Sequence, residues 1–413
     1  MSANIAAPAA QVTESSLLRY SRWLLVVTVG ALPLYVVRWH YGPLPTTLLE
    51  TLIIVTVVLY LVARWRDGWR RPLRTPYDIP ILLLLLAGAI AVFVPQDHRA
   101  ALGLYRAFFI EPVAIFYVAT DLLRGEQSLR RAVVSFAIGS SLFAILNLVA
   151  VAQALLNHSF HVGSAPNALY GDANYVAMYL EPPVAFAMAV FLFGSTPRWR
   201  WLGAAWLPIT GLALLLTLSK GAYLALFVLV VVVILRMRRW MLPLLIGLVV
   251  VAFALSRIPL IAQRIATSEN SLVGRFQIYG AAIRVLKENP ILGLGLGGFD
   301  YTFRKHASQP YPHDIWLTFW VEIGLLGLIA FAVIFFGLLW RGWRALPQTE
   351  GFYRVAMWGV VGSLVLWGIH GLVDSPYWKN DMSVEFWVVA AIELAAIGSM
   401  AARSKPLPVP PEP

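Results

Sequence analysis

His313 is the residue best suited to move a proton. Imidazole as a class gives and takes protons near neutral pH, which suits removal of a proton from a sugar hydroxyl. It follows Pro310-Tyr-Pro and heads a long apolar run. A lone histidine at a helix start is more often structural than catalytic. His306, His158, His161 and His370 lie on or near the same side of the chain's folding pattern. Asp374 has two readings: it orients an imidazole or caps a helix.

Two cations invite a phosphate. Lys220 lies in Leu218-Ser-Lys-Gly, between two apolar runs. It either snorkels to a membrane interface or sits beside a helix N-terminus, where anions bind readily. Composition leaves those readings about even. Arg275 either meets lipid headgroups or grips phosphate through its planar fork. Arg264, Arg284, Lys287, Arg304 and Lys305 share its segment, so spacing alone does not single it out.

The glycine run Gly293-Leu-Gly-Leu-Gly297-Gly298 contains GxGxxG. A dinucleotide site needs a strand before it and a helix after it, and the sequence offers no such unit. A tight turn is expected instead, with amides available to an anion.

The rest of the chain must position these groups in a bilayer. Of 413 residues 59% are hydrophobic and 13% are charged, and the mean hydropathy is +0.73. A soluble chain carries about twice that charge fraction. The apolar runs are continuous rather than alternating, which excludes a transmembrane β-barrel. The absence of cysteine removes disulfides and thiolate chemistry. The net charge of +11 is attributed to loop arginines and not to nucleic-acid binding.

The expected fold is all-α, a polytopic membrane protein with about twelve spans at 22–38, 44–63, 78–95, 101–123, 132–156, 173–194, 200–218, 221–235, 240–258, 314–340, 353–373 and 384–402. Arginine clusters after alternate spans put every basic loop on one side, read as the cytoplasm. Residues 1–21 form an inner tail, 22–402 one transmembrane domain, and 403–413 a disordered proline-rich tail. No cleaved signal peptide is expected, since no basic start precedes the first apolar run. The one large outer loop, 259–313, contains an amphipathic helix at 270–287, with Leu272, Phe276, Tyr279, Ile283 and Leu286 at helical spacing. Within the spans, Arg106 and Glu111 read as a structural ion pair, because intramembrane charges are costly alone. Acids facing outward are scattered, so no metal site and no cofactor are expected.

These pieces resemble the O-antigen ligase and polymerase superfamily. The resemblance rests on Tyr170-Gly-Asp-Ala-Asn174-Tyr, Thr217-Leu-Ser-Lys220-Gly, Arg275-Phe-Gln-Ile-Tyr279, Asn289-Pro-Ile-Leu-Gly293-Leu-Gly295, His313-Asp-Ile-Trp-Leu with Glu322-Ile-Gly324-Leu-Leu-Gly327, and His370-Gly-Leu-Val-Asp374. They keep the family's order over roughly residues 165–395. The resemblance implies a GT-C-like architecture in the cytoplasmic membrane, with the large loop and the active site facing the periplasm. It implies a glycan donor on undecaprenyl pyrophosphate and a glycan, lipid or protein acceptor. Lys220 and Arg275 would hold the pyrophosphate, His313 would activate the acceptor, and Asp374 would assist. Tyr279 and Asn174 from the same motifs, and Arg264 from the same loop, join the substrate-binding candidates. Two positions depart from the family pattern: Lys220 where arginine is usual, and Asp314 where asparagine is usual. Asp314 would put an acid beside the base. The other readings are a polymerase, a lipid-linked glycan transporter without chemistry, and a nutrient transporter. No internal repeat supports the last.

Overall fold

The computed structural model describes residues 15–42, 44–68, 74–161, 165–237, 242–243, 245–247, 249–250, 257, 268–303 and 311–403. Helices dominate, and several begin at a residue whose side chain accepts from their open amides. Ser15 caps α1 (Ser16–Gly30). Thr47 and Glu50 form a reciprocal capping box for α2 (Leu48–Arg66). There follow α3 (Asp78–Ala91), α4 (His98–Tyr105), α5 (Glu111–Leu122) and α6 (Glu126–Leu156). Asp172 caps α7 (Ala173–Phe193) and Ser219 caps α9 (Lys220–Arg236), with α8 (Pro197–Leu216) between them. The outer segment contributes α10 (Ser268–Glu288) and α11 (Gly298–Phe303). Asp314 caps α12 (Ile315–Ala345). The chain then builds α13 (Gly351–His370) and α14 (Asn380–Arg403).

Eight helices among the described residues are long and apolar enough to cross a membrane. A described helix stands at each expected span except 240–258, of which only scattered residues are described. The polytopic reading therefore holds, while the count of twelve goes beyond these eight. Three departures have local causes. The first span ends at Gly30, because Pro33 turns the chain into a 3-10 segment, Leu32–Val36. The chain is also not wholly helical: Arg38–Tyr41 and Leu44–Thr47 pair as a short antiparallel hairpin, turning at Gly42 with φ 58°. The expected helix at 270–287 is present as α10, but its apolar face is divided. Ala282 and Leu286 are buried against Phe299 and Val321, whereas Phe276 is 69% exposed. Leu272 lies among residues whose side chains are outside the description.

In a bilayer apolar contact with lipid competes with contact between helices, so close packing and polar pairs decide which helices associate. α7, α13 and α14 are the most buried of the spanning helices. α13 packs on α7 and α9, α14 on α5, and α12 on α3. At the crossing of α1 and α6, a Cβ on Gly139 would collide with the carbonyl of Gly30. The expected Arg106–Glu111 pair forms, with Nε 3.1 Å from Oε1. Arg106 also reaches Glu50, at 2.9 Å, so one guanidinium serves two buried carboxylates. A π-helical segment, Arg106–Ile110, lies between α4 and α5 at this point.

Candidate functional site

The glycine run is a turn wedged into a broken helix. α12 loses helical geometry at Ile323 and Gly324, where Gly324 has φ 74°. An intact helix would bond the Leu325 amide to the Val321 carbonyl. Instead Leu325 N donates to Ile291 O at 2.9 Å, and Leu294 N donates to Val321 O at 2.7 Å. The turn thus completes both halves of the missing helical bond. Gly293 and Gly295 adopt φ 66° and 76°, and a Cβ on Gly295 would meet Ala91 and Pro95. These positions call for glycine on both counts.

Most amides of this run already have an acceptor within the chain. Gly297 N donates to Glu322 Oε2 at 2.5 Å and Phe299 N to Oε1 at 3.4 Å. Leu296 N donates to Ala91 O, Gly298 N to Gly295 O, and Gly293 N to Asn289 O. The acceptor that the turn meets is the chain's own Glu322 carboxyl group. This corrects the expectation of amides available to an anion.

The effect of the wedge is to dock α10 and the start of α12 against the end of α13. His313, with φ 55°, directly precedes the N-cap of α12. Its Nδ1 lies 3.1 Å from Asp374 Oδ1, with 16% of the His313 side chain exposed and 1% of Asp374. Asp374 therefore orients an imidazole and does not cap a helix. Its carboxylate also accepts from Ser375 N at 2.9 Å. Its second oxygen faces Arg275 Nη2 at 3.7 Å. Tyr279, one helical turn after Arg275, donates to His313 O at 3.0 Å. A hydrogen bond from Ile315 N to Gly371 O, 2.8 Å, clamps the two chain segments beneath them. Burial alone would raise the Asp374 pKa. The His313 hydrogen bond and the charges of His313, His370 and Arg275 outweigh that and hold it below the ordinary carboxylate range.

An Nδ1–H given to a buried carboxylate leaves Nε2 as the basic nitrogen of the ring, the arrangement a general base requires. Asp314 does not disturb it. Its Oδ1 accepts from Leu317 N at 2.8 Å as the N-cap of α12. The convergence of Asp314 on the imidazole that the sequence suggests is therefore replaced by capping. Arg275 Nη1 is buried and has no hydrogen-bond partner among the described residues. A buried guanidinium N–H without an acceptor is costly, and a phosphate oxygen would satisfy it.

Lys220 is the first residue of α9, after Leu218 with φ 56°. The helix start lies against the same end of α13, since a Cβ on Gly221 would come within 2.5 Å of the His370 ring. His370 is four residues before Asp374, and its carbonyl accepts from Asp374 N at 2.9 Å. The structure therefore brings His313, Asp374, Arg275 and Tyr279 into contact and puts Lys220 on the adjoining helix start. Asn174 is not in that contact group; its amide serves the cap made by Asp172. Arg264 lies outside the described residues, as do His306, Arg304 and Lys305.

Several residues escaped the sequence reading. Tyr311 is buried, with its ring centroid 5.0 Å from that of His313. Tyr175, beside Asn174, approaches Tyr311 at 6.4 Å. Thr318 and Ser375 hydroxyls pair at 2.7 Å and are buried. Glu181, an acid within α7, pairs with His370 Nδ1 at 2.6 Å, both fully enclosed. That removes His370 as an alternative base facing an acceptor. α14 also buries Asp381, Glu385 and Glu393 on one span. Among the described residues no group of three or more ligating side chains could hold a metal ion.

A family model described as O-Antigen ligase matches residues 203–332. The match supports the O-antigen ligase superfamily. It covers about a third of the chain, from within α8 to within α12, and contains Lys220, Arg275, Tyr279 and His313. Tyr170–Tyr175 and His370–Asp374 fall outside it. No curated protein matches the chain. The O-antigen ligase family comprises ligases and polymerases of surface glycans, so an enzyme of ligase or polymerase type, acting on lipid-linked glycan at a membrane, is supported.

Proposed function

We propose that this protein transfers a glycan from an undecaprenyl-pyrophosphate carrier to an acceptor hydroxyl at the outer face of the cytoplasmic membrane. The observation that carries the proposal is the Arg275–Asp374–His313 arrangement, a buried carboxylate shared by a guanidinium and an imidazole. His313 Nε2 takes the acceptor's hydroxyl proton. The acceptor oxygen forms its bond to the anomeric carbon as the bond from that carbon to the phosphate oxygen breaks. In-line displacement inverts the anomeric centre. The carrier leaves as a pyrophosphate anion, and Arg275 and Lys220 take up its growing charge, an electrostatic contribution of the kind that often dominates catalysis. The step needs no metal ion, and the purified enzyme is expected to turn over in EDTA. Activity lost in EDTA and restored by Mg²⁺ would overturn that part.

The outward assignment rests on the alternation of basic loops. Reporter fusions at residue 290 and at the C-terminus should report opposite compartments. A polymerase uses the same chemistry with another lipid-linked repeat as acceptor. Gene deletion followed by surface-glycan analysis separates the two: loss of a ligase leaves long chains on the carrier, and loss of a polymerase leaves single repeats. A transporter without chemistry would lose glycan export, and the purified protein would form no glycosidic bond.

A further inference from the structure

At the other end of α13 from Asp374 lies a groove that the transfer reaction does not use. α13 has 20 residues and so spans about 30 Å. Near its first turn, the Arg130 guanidinium lies over Phe352 at 5.0 Å and over Trp199 at 5.1 Å. Arg130 and Arg131 form one wall of a cavity of about 460 Å³ between α1, α6 and α8. Trp23 and Trp199 flank its mouth, and Val26, Val134 and Ile138 line the way inward.

The charges there are unequally matched. Arg130 pairs with Glu126 at 2.5 Å, and the same carboxylate takes Arg403 at 3.4 Å. Arg131 lies over the Trp23 ring at 4.8 Å. No carboxylate of the described residues is within ion-pair distance of it. The mouth thus carries a cation with spare donors, between two tryptophans of the kind that settle at a membrane surface. Farther in, the groove turns apolar. Ser135 donates its hydroxyl hydrogen to Val26 O at 2.6 Å, so it offers the cavity no open donor. The close crossing of Gly30 and Gly139 shuts the inner end.

We infer that this groove binds an anionic phospholipid of the surrounding membrane, with its phosphate at Arg131 and Arg130 and one acyl chain along Val26, Val134 and Ile138. A planar guanidinium matches a phosphate bidentately. Basic pockets between spanning helices recognise anionic headgroups. Among the described residues no acid lines the cavity, and the neighbouring Glu126 is already shared by two arginines, so the ammonium of a zwitterionic headgroup gains no carboxylate there.

The test uses the full chain in detergent, with native mass spectrometry after exchange into phosphatidylglycerol or phosphatidylcholine of the same acyl chains. Phosphatidylglycerol should be retained in preference. Arg131→Gln should weaken its retention about fivefold, the effect of one basic residue at a lipid surface. Val134→Phe, which fills the slot and leaves both arginines, should weaken it as well. Equal retention of the two lipids would overturn the inference. So would unchanged retention in a variant that still melts as wild type does. Displacement by millimolar inorganic phosphate, with no dependence on the acyl chain, would make this a free-anion site and remove the lipid. If Arg131→Gln fails to fold, the Val134→Phe comparison decides. All these readouts are independent of glycan transfer.

Discussion

The Asp374 carboxylate lies 3.1 Å from His313 Nδ1, although 61 residues separate them. The pair depends on two chain segments meeting at the ends of α12 and α13, and its chemistry follows from that geometry. Asp374→Asn keeps the shape but removes the charge that holds the ring in its productive tautomer. Transfer should fall by roughly 10²- to 10⁴-fold. Donor affinity should change far less than rate. A variant within a few-fold of wild type would leave Asp374 a structural role only.

The acid side of the stability profile should carry the same signature. The folded state holds the Asp374 pKa below its ordinary value. The unfolded chain therefore binds the proton more readily as pH falls. The stabilisation is present above the ordinary carboxylate range, near pH 4, and is lost as pH drops through the depressed folded value. Melting temperature measured in detergent should fall in that window for wild type and fall less steeply for Asp374→Asn. Parallel curves would contradict the assignment.

The two cations should separate by function from the base. Lys220→Arg retains much of the activity, since it keeps the charge and adds the fork. Lys220→Ala and Arg275→Ala lose donor affinity together with turnover. His313→Ala instead loses turnover with donor affinity nearly intact. Titration with lipid-linked donor alongside single-turnover rates reads both quantities. An alanine variant of either cation with wild-type donor affinity would return that residue to membrane anchoring.

The wedge in α12 predicts a stability effect away from the chemistry. Gly295→Ala forces a side chain into positive φ and against Ala91, at a cost of about 1–3 kcal/mol. Glu322→Gln keeps the size of the residue but weakens its acceptance from Gly297 and Phe299, and should destabilise in the same direction. Thermal unfolding in detergent checks both. Gly280→Ala is the control, since a Cβ there meets only the Arg284 side chain at 3.6 Å.

The spanning helices were legible because hydropathy and capping are local signals. The Arg106–Glu111 pair was legible for the same reason, with the partners five residues apart on one helical path. Glu50 as third member was not, since it joins from another span. His313, Asp374, Arg275 and Tyr279 were found as types and motifs, but their contact spans separated segments and no periodicity reports it. Glu181 and His370 are 189 residues apart, so nothing local in the sequence pairs them. Asp314 could have been read correctly: an acid directly before an apolar helix is an N-cap signal. The glycine run was recognised as a turn, but its partner Glu322 lay inside an apolar run. A buried acid followed by Ile323-Gly324 was the available sign that α12 breaks there.

The same wedge has a mechanical consequence. Open peptide groups are penalised wherever hydrocarbon excludes water, yet α12 interrupts its own ladder. Ile291 and Leu294 fill the gap, so pulling them out would expose both the Val321 carbonyl and the Leu325 amide. α10 is therefore pinned at its C-terminal end. Tyr279, one turn from Arg275, ties the helix a second time through His313 O, so the stretch that carries Arg275 to Asp374 is held near both ends.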